Sequence, residues 1–326
     1  MSDPSQVDSF DGDPVREWFS PSLARAELRA LSKRSNWHGL THIGLWLLLC
    51  LCSGAMVVAA WPTWWVIPAI VVYGVLLSFS YAASHECSHG TAFRTRWLNE
   101  AVFWITSVIF MEEAVYRRYA HADHHTYTWF NDSDPQKPYG LPLSAWDYIK
   151  ETFLITFYLD AFRRLLRHSL GRFDTREQRF LPPRERRRVR LDSLLMLSIY
   201  FGLLAWGVGY ASPWPFVLYF VPRYIGGCVV NLYINSQHMC MAEDLKDHRL
   251  TTRSIHCNRL ERLLYWNMNF HIEHHLFPVV PFHALPKLNA RVRSELPPPT
   301  SGVWRANGQI VRAIRRQKRE PEFHLR

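Results

Sequence analysis

Residues 39–61 read GLTHIGLWLLLCLCSGAMVVAAW, a run with no formal charge and long enough to cross a bilayer. Hydrocarbon offers no water to a free backbone N–H or C=O, so such a run folds as a helix. Residues 64–83, 191–210 and 216–234 are also apolar runs of spanning length, the last two with a single charge each, Asp192 and Arg223. Pro62-Thr63 joins the first pair of runs and Ser212-Pro213-Trp214-Pro215 the second, and neither turn carries Lys or Arg. Trp61, Trp64 and Trp65 gather at the first turn as an interfacial belt would. Arg25, Arg29, Lys33 and Arg34 precede the first pair, and an Arg-dense stretch at 167–190 precedes the second. Because basic loops stay on the cytoplasmic side, the chain is expected to be an all-α, multi-pass membrane protein. It should have about four transmembrane helices, both termini inside, and a cytoplasmic helical cap. Arg223 lies within the last span, where a charge is costly, and is expected to face protein or an aqueous cavity.

Composition supports this division. Of 326 residues 48% are hydrophobic, yet the mean hydropathy is only −0.14, so the apolar residues must be concentrated in segments. The net charge of +10 is explained by positive-inside loops and calls for no nucleic acid. Six cysteines form no CxxC pair, which suggests a reduced compartment without structural disulfides; Cys87 and Cys240 near the histidines read as packing residues rather than ligands. The N-terminus, with Asp3, Asp8, Asp11 and Asp13, lacks the pattern of a signal peptide and is expected to be loose to about residue 19.

Between the spans, Ser20-Pro21 predicts a short helix to Lys33. Residues 101–111, apolar but short and flanked by arginines at both ends, predict a helix that enters and leaves on one face or lies along it. Residues 132–142, DSDPQKPYGLP, predict a loop. Residues 146–166 predict an interfacial amphipathic helix, and 258–269 another helix. Residues 1–37 form an N-terminal segment, 38–288 the membrane domain, and 289–326 a basic cytoplasmic tail.

Three histidine clusters lie at the expected cytoplasmic ends: His85-Glu-Cys-Ser-His89, His121-Ala-Asp-His124-His125 and His271-Ile-Glu-His274-His275. Spacings of three and four residues put the rings of each cluster on one helix face, one turn apart. Neutral imidazole is a donor to Zn, Fe, Cu or Ni, so three such faces imply a metal site with more ligands than one ion takes. The first cluster alone matches HExxH, the helix of zinc hydrolases, which keeps an intramembrane zinc protease open. A three-ligand zinc site leaves six further histidines unexplained. A non-catalytic membrane protein is the blandest alternative.

The order HxxxH, HxxHH, HxxHH, with two spans between the second and third, resembles the membrane fatty acid desaturase and hydroxylase superfamily. HECSHGTAF and FHIEHHLFPVVP carry the likeness most specifically, and it runs from about Trp37 to Leu288. The resemblance implies two iron ions ligated by His85, His89, His121, His124, His125, His271, His274 and His275, with His238 at the end of the last span as a further ligand. It also implies O2 as co-substrate and oxidation of an unactivated C–H bond. Desaturation of a fatty acyl or lipid-like chain is the first reading, and hydroxylation, including of a smaller polar substrate, the second. Zinc has no redox chemistry to offer such a reaction. Glu86, Asp123 and Glu273 inside the clusters are expected to orient imidazole rings. No redox module is recognisable, so electrons should come from an external ferredoxin, rubredoxin or cytochrome b5 type donor with its reductase. Arg184, Arg186, Arg187, Arg188 and Arg190 offer it a basic surface. Glu112 and Glu113, closing an apolar stretch, are candidates for recognising a cationic or amine-bearing substrate; the competing expectation is an ion pair of Glu113 with Arg117 or Arg118.

Overall fold

The computed structural model of the protein describes residues 18–325. Most of the segment expected to be loose, including Asp3, Asp8, Asp11 and Asp13, lies outside the described residues. A short helix α1 (Arg25–Leu31) leads to α2 (Asn36–Ala60), whose first turn is capped by the Ser35 hydroxyl accepting from the His38 N–H. Helices α3 (Val66–Ser78) and α4 (Ser80–Ser88) run on from each other as a second long element, so the first histidine cluster is carried by the span itself. Then come α5 (Arg96–Phe110), α6 (Ala114–Thr126), α7 (Ala145–Thr152), α8 (Phe157–Ser169) and α9 (Thr175–Phe180). The second hairpin is α10 (Pro183–Gly209) and, after a π-helical turn at Phe216–Phe220, α11 (Val221–His238). Five shorter or amphipathic helices complete the chain: α12 (His248–Thr251), α13 (Arg259–Leu264), α14 (His271–Leu276), α15 (Leu285–Val292) and α16 (Gly302–Gln317). The described residues contain no strand, and four elements are long and apolar enough to cross a membrane: 36–60, 66–88, 183–209 and 216–238.

What aligns the two hairpins is contact between α3 and α11. A Cβ on Gly226 would lie 1.7 Å from the Gly74 carbonyl oxygen, and one on Gly74 would lie 2.3 Å from that of Pro222. With no hydrophobic drive between helices in lipid, such backbone contact is what glycine supplies. Trp61 and Trp214, from the two uncharged turns, meet with ring centroids 6.2 Å apart at one end. At the other, α4 and α11 deliver His85 and His238. Arg223 is buried: its Nε donates to the Ile109 carbonyl at 3.0 Å, and its guanidinium lies 4.5 Å over the Phe110 ring.

Several local expectations need correction. The helix expected over 146–166 is two, broken at Leu154, whose φ is +55°. The last carbonyls of α7 are capped by the Leu154 and Ile155 N–H groups, which ends the helix there. The helix expected over 258–269 stops at Leu264, because Trp266 and Asn267 take φ values of +49° and +53° and turn the chain before α14 begins. The segment read only as a basic tail also carries packed structure over residues 289–325. Helix α16 packs on α11 with Val303, Ala306 and Ile310 buried, and Asn307 donates to the Leu232 carbonyl at 2.9 Å while accepting from Tyr148 Oη at 3.0 Å. The basic residues in α16 occupy its outer face, while the apolar ones sit at helical spacing; a reading by composition alone saw only the charge.

Gly226→Ala is expected to destabilise the protein in detergent by about 1–3 kcal/mol through overpacking. Gly44→Ala, whose added Cβ meets nothing within 4 Å, is expected to leave thermal unfolding unchanged.

Candidate metal centre

The nine histidines reach the centre from four helices. His85 lies in the last turn of α4 and His89 at its C-cap; α6 supplies His121, His124 and His125; His238 is the final residue of α11; α14 supplies His271, His274 and His275. Two groups form. In the first, one ring nitrogen from each of His85, His89, His121, His125 and His274 lies within 4.8 Å of all the others. In the second, His124, His238 and His275 meet the same limit. His271 joins the second group, its Nε2 at 2.9 Å from His238 Nε2 and 3.2 Å from His275 Nε2. The groups adjoin, with the His125 and His275 rings stacked at 4.1 Å.

The outer partners decide which nitrogen faces inward. His124 Nδ1 lies 2.8 Å from Asp134 Oδ2, and His238 Nδ1 lies 3.0 Å from the Thr251 carbonyl oxygen. Both oxygens can only accept, the carboxylate being ionised, so each Nδ1 carries the proton and each Nε2 a lone pair. His275 Nδ1 donates to Thr128 Oγ1 at 3.1 Å, since that hydroxyl gives its own proton to the His124 carbonyl at 2.7 Å. Gln136 Oε1 holds His121 Nδ1 at 3.0 Å in the same way. Asp134 is itself fixed by the N–H groups of Trp129 (2.9 Å) and Gln136 (2.8 Å). Burial first, and then the neighbouring rings, push His121, His125, His271, His274 and His275 well below the usual imidazole range. Burial and the nearby Arg117 bring His89 to about 3.

Neutral rings presenting lone pairs to one another repel, and several inward nitrogens have no partner: both of His85 and His274, and Nε2 of His89. A buried polar atom without a partner is costly. A bound transition-metal ion would take the lone pair of one nitrogen on each ring, leaving the other nitrogen as an N–H donor. An all-nitrogen set fits iron, zinc, copper or nickel and not magnesium or calcium, which take oxygen.

Three carboxylates expected to orient the rings do something else. Glu86 accepts from Thr91 Oγ1 at 2.6 Å and the Phe282 N–H at 3.1 Å; Asp123 pairs with Arg179 at 2.8 Å; Glu273 accepts from Ser254 Oγ at 2.8 Å and from Asn289. None of them touches a ring, because the side of each helix that presents imidazoles inward points its carboxylate away. Of the ring-orienting groups, Asp134, Gln136 and Thr128 come from the loop after α6, and the Thr251 carbonyl from the end of α12. Asp134 was readable only as part of turn-forming DSDP, ten residues beyond His124.

Glu113 is likewise corrected. Its carboxylate is buried and saturated by His168 Nδ1 (2.7 Å), Ser193 Oγ (2.8 Å) and Arg164 Nε (3.1 Å), tying α6 to α8 and α10. Arg118 pairs with Glu100, and Arg117 with Glu112 at 2.5 Å. Burial pushes Glu113 up, but Arg164 and His168 outweigh it and hold the carboxyl at about 2; Glu177, on the other nitrogen of His168 at 3.0 Å, is also held at about 2. His168 is raised, burial being overcome by its two carboxylates. Glu112 remains at the site: it lines a cavity of about 480 Å³ that also reaches His85, His121, His124, His238 and His271.

Residues 59–306, most of the chain, match the model of the family described as fatty acid desaturase. The chain belongs to that family. Among curated members, a Delta(12) fatty acid desaturase of Calendula officinalis is 23% identical over 252 residues, covering 69% of this chain and 64% of its own length. The omega-6 fatty acid desaturase, endoplasmic reticulum isozyme 1, of Glycine max is 23% identical over 256 residues, covering 71% and 65%. The chain thus spans just under two thirds of these relatives. The histidine clusters read from its sequence form two groups that could hold metal ions.

Asp134→Ala is expected to lower metal affinity about 10- to 100-fold, whereas Asp123→Ala should leave metal content unchanged; metal analysis after dialysis against a chelator distinguishes them. Glu113→Gln, which breaks a buried ion network, is expected to cost about 3 kcal/mol of stability. The Glu113 contribution is complete above its ordinary 4.5 and lost as pH falls through about 2; that of His168 is complete below its ordinary 6.5 and lost as pH rises through its raised value. The melting-temperature gap between wild type and Glu113→Gln should therefore be widest between pH 4.5 and 6.5.

Proposed function

We propose that this chain is a membrane di-iron oxidase that uses O2 to desaturate an unactivated C–C bond of a fatty acyl or lipid-like substrate. The observation that carries the reading is the pair of adjoining all-nitrogen groups, with inward lone pairs set by outer hydrogen bonds. His85, His89, His121, His125 and His274 would hold one iron, and His124, His238, His271 and His275 the other. Iron bound there supplies the redox chemistry that acid–base groups lack for a saturated C–H bond. The balance is simple: the substrate loses two hydrogens, the external donor adds two electrons and two protons arrive from solvent, and O2 leaves as two waters.

The chain's own residues position and seclude. Trp129, itself buried, stacks on the His238 ring at a centroid distance of 5.0 Å and closes that side of the second group. Asp134, Gln136 and Thr128 keep the rings in one tautomer, so that no proton stands between nitrogen and metal. We place the centre and both termini on the cytoplasmic side, where a soluble ferredoxin, rubredoxin or cytochrome b5 type donor can reach it. Of the arginines at the start of α10, Arg184, Arg187 and Arg188 are exposed and form the proposed docking face, while Arg190 donates to the Ser169 carbonyl at 3.1 Å. Hydroxylation on the same scaffold is the second reading, favoured by the charged walls of the cavity, which suit a polar substrate.

Purified protein loaded with iron is expected to carry two irons per chain. With O2, a donor and its reductase, it should convert acyl lipids to products lacking two hydrogens. His124→Ala and His274→Ala should each abolish turnover. Products carrying one added oxygen would move the assignment to the hydroxylase; a single zinc with peptidase activity would overturn both.

A further inference from the structure

The cavity over the two histidine groups is a poor container for a hydrocarbon. Its walls include Glu112, Arg117, Lys137, Glu151, Arg164 and Arg176, and seating methylenes against them would strip water from charges without replacing it. The apolar pocket formed by Tyr158, Phe162, Tyr200, Phe201, Leu204 and Tyr219 touches none of the nine histidines.

Most of these charges are already matched. Lys137 pairs with Glu243 at 2.7 Å, Arg164 with Glu113, and Arg176 donates to the Asp134 carbonyl. Arg117 is different. Its Nη1 is used by Glu112 and the Tyr81 hydroxyl also bears on the guanidinium, yet Nε and Nη2 are buried without a hydrogen bond of good geometry. The residue is 4% exposed, and its guanidinium lies 5.1 Å over the Tyr81 ring, which also lines the cavity. Nε–H and Nη2–H form one edge of the planar guanidinium, the edge that takes both oxygens of a carboxylate in parallel hydrogen bonds. A buried cation with that edge unfilled is incomplete.

Its position fixes the reach. Arg117 precedes His121 by four residues on α6, so the two side chains share a face about 6 Å apart along the axis. We propose that the free edge of Arg117 binds the carboxylate of a small polar substrate, and that the bond oxidised lies close to that carboxylate rather than in the middle of a long acyl chain. This rests on the di-iron reading for its chemistry and favours the polar-substrate branch of that reading over the acyl-lipid one. A lipid head group held at Arg117 would leave the remote carbons of its chain far from the histidines.

Isothermal titration of the iron-loaded protein in detergent micelles tests binding apart from turnover. The probes are pentanoate, hexanoate and octanoate, the matching amides, and palmitoyl phosphatidylcholine in the micelle. The carboxylates are expected to bind at least tenfold tighter than the amides. Arg117→Lys, which keeps the charge beside Glu112 but loses the fork, should weaken them at least tenfold with iron content and melting temperature unchanged; Arg117→Gln is a second variant should Lys perturb the fold. Equal affinity for acids and amides, or binding indifferent to both variants, overturns the proposal. So does iron-dependent oxidation of the phospholipid chain that survives Arg117→Lys, while leaving the di-iron reading intact. Carboxylate binding that depends on Arg117, in a protein that oxidises nothing with iron and O2, would instead retain this site and remove the di-iron reading.

Discussion

Nine imidazoles packed ring against ring, away from water, cannot satisfy one another. A neutral ring has one donor and one acceptor, and here the donors of His121, His124, His238 and His275 already point outward to Gln136, Asp134, the Thr251 carbonyl and Thr128. What remains inside is a concentration of lone pairs. Protonation would relieve it only at the cost of buried positive charge, which the depressed His89, at about 3, illustrates. Metal cations are the remaining solution, and the rest of the molecule can be understood as the apparatus that assembles this unstable arrangement. The glycine contact between α3 and α11 aligns the two helix ends, α6 lies across them, and the turn at Trp266 and Asn267 redirects the chain so that α14 closes the ring.

The large features were legible because each has a short-range signature. Apolar runs of spanning length announce the four long helices, and histidines at three- and four-residue spacing announce the inward faces. What escaped the sequence depends on contacts between distant segments. Asp134 looks like turn chemistry until α6 and its following loop are folded together, and the polar α16 looks like a tail until Asn307 is seen against α11. Glu86, Asp123 and Glu273 show the converse error. Adjacency to a histidine in sequence puts a carboxylate on a different side of the helix, so the residues most visible beside a motif are poorly placed to support it. Glu113 escaped in yet another way: its partners Arg164, His168 and Ser193 lie on two later helices, and the network they form is structural.

Membership of the fatty acid desaturase family accounts for the histidine framework and says less about what is oxidised. Identity to the two curated relatives is 23%, and one framework is compatible with different cavities. In this chain the wall above the histidines is charged, and one arginine there is incompletely paired. In the proposed reading the metal site and the cavity are separable layers of function: one would decide that a C–H bond can be broken, the other whose.

The central claim is the two-metal, all-nitrogen centre. X-ray absorption at the iron edge, on protein carrying its full metal complement, measures it directly. The account predicts two irons per chain, each with a first shell dominated by imidazole nitrogen and with the outer-ring scattering of several histidines. One metal per chain, or a shell dominated by carboxylate oxygen or sulfur, would contradict it.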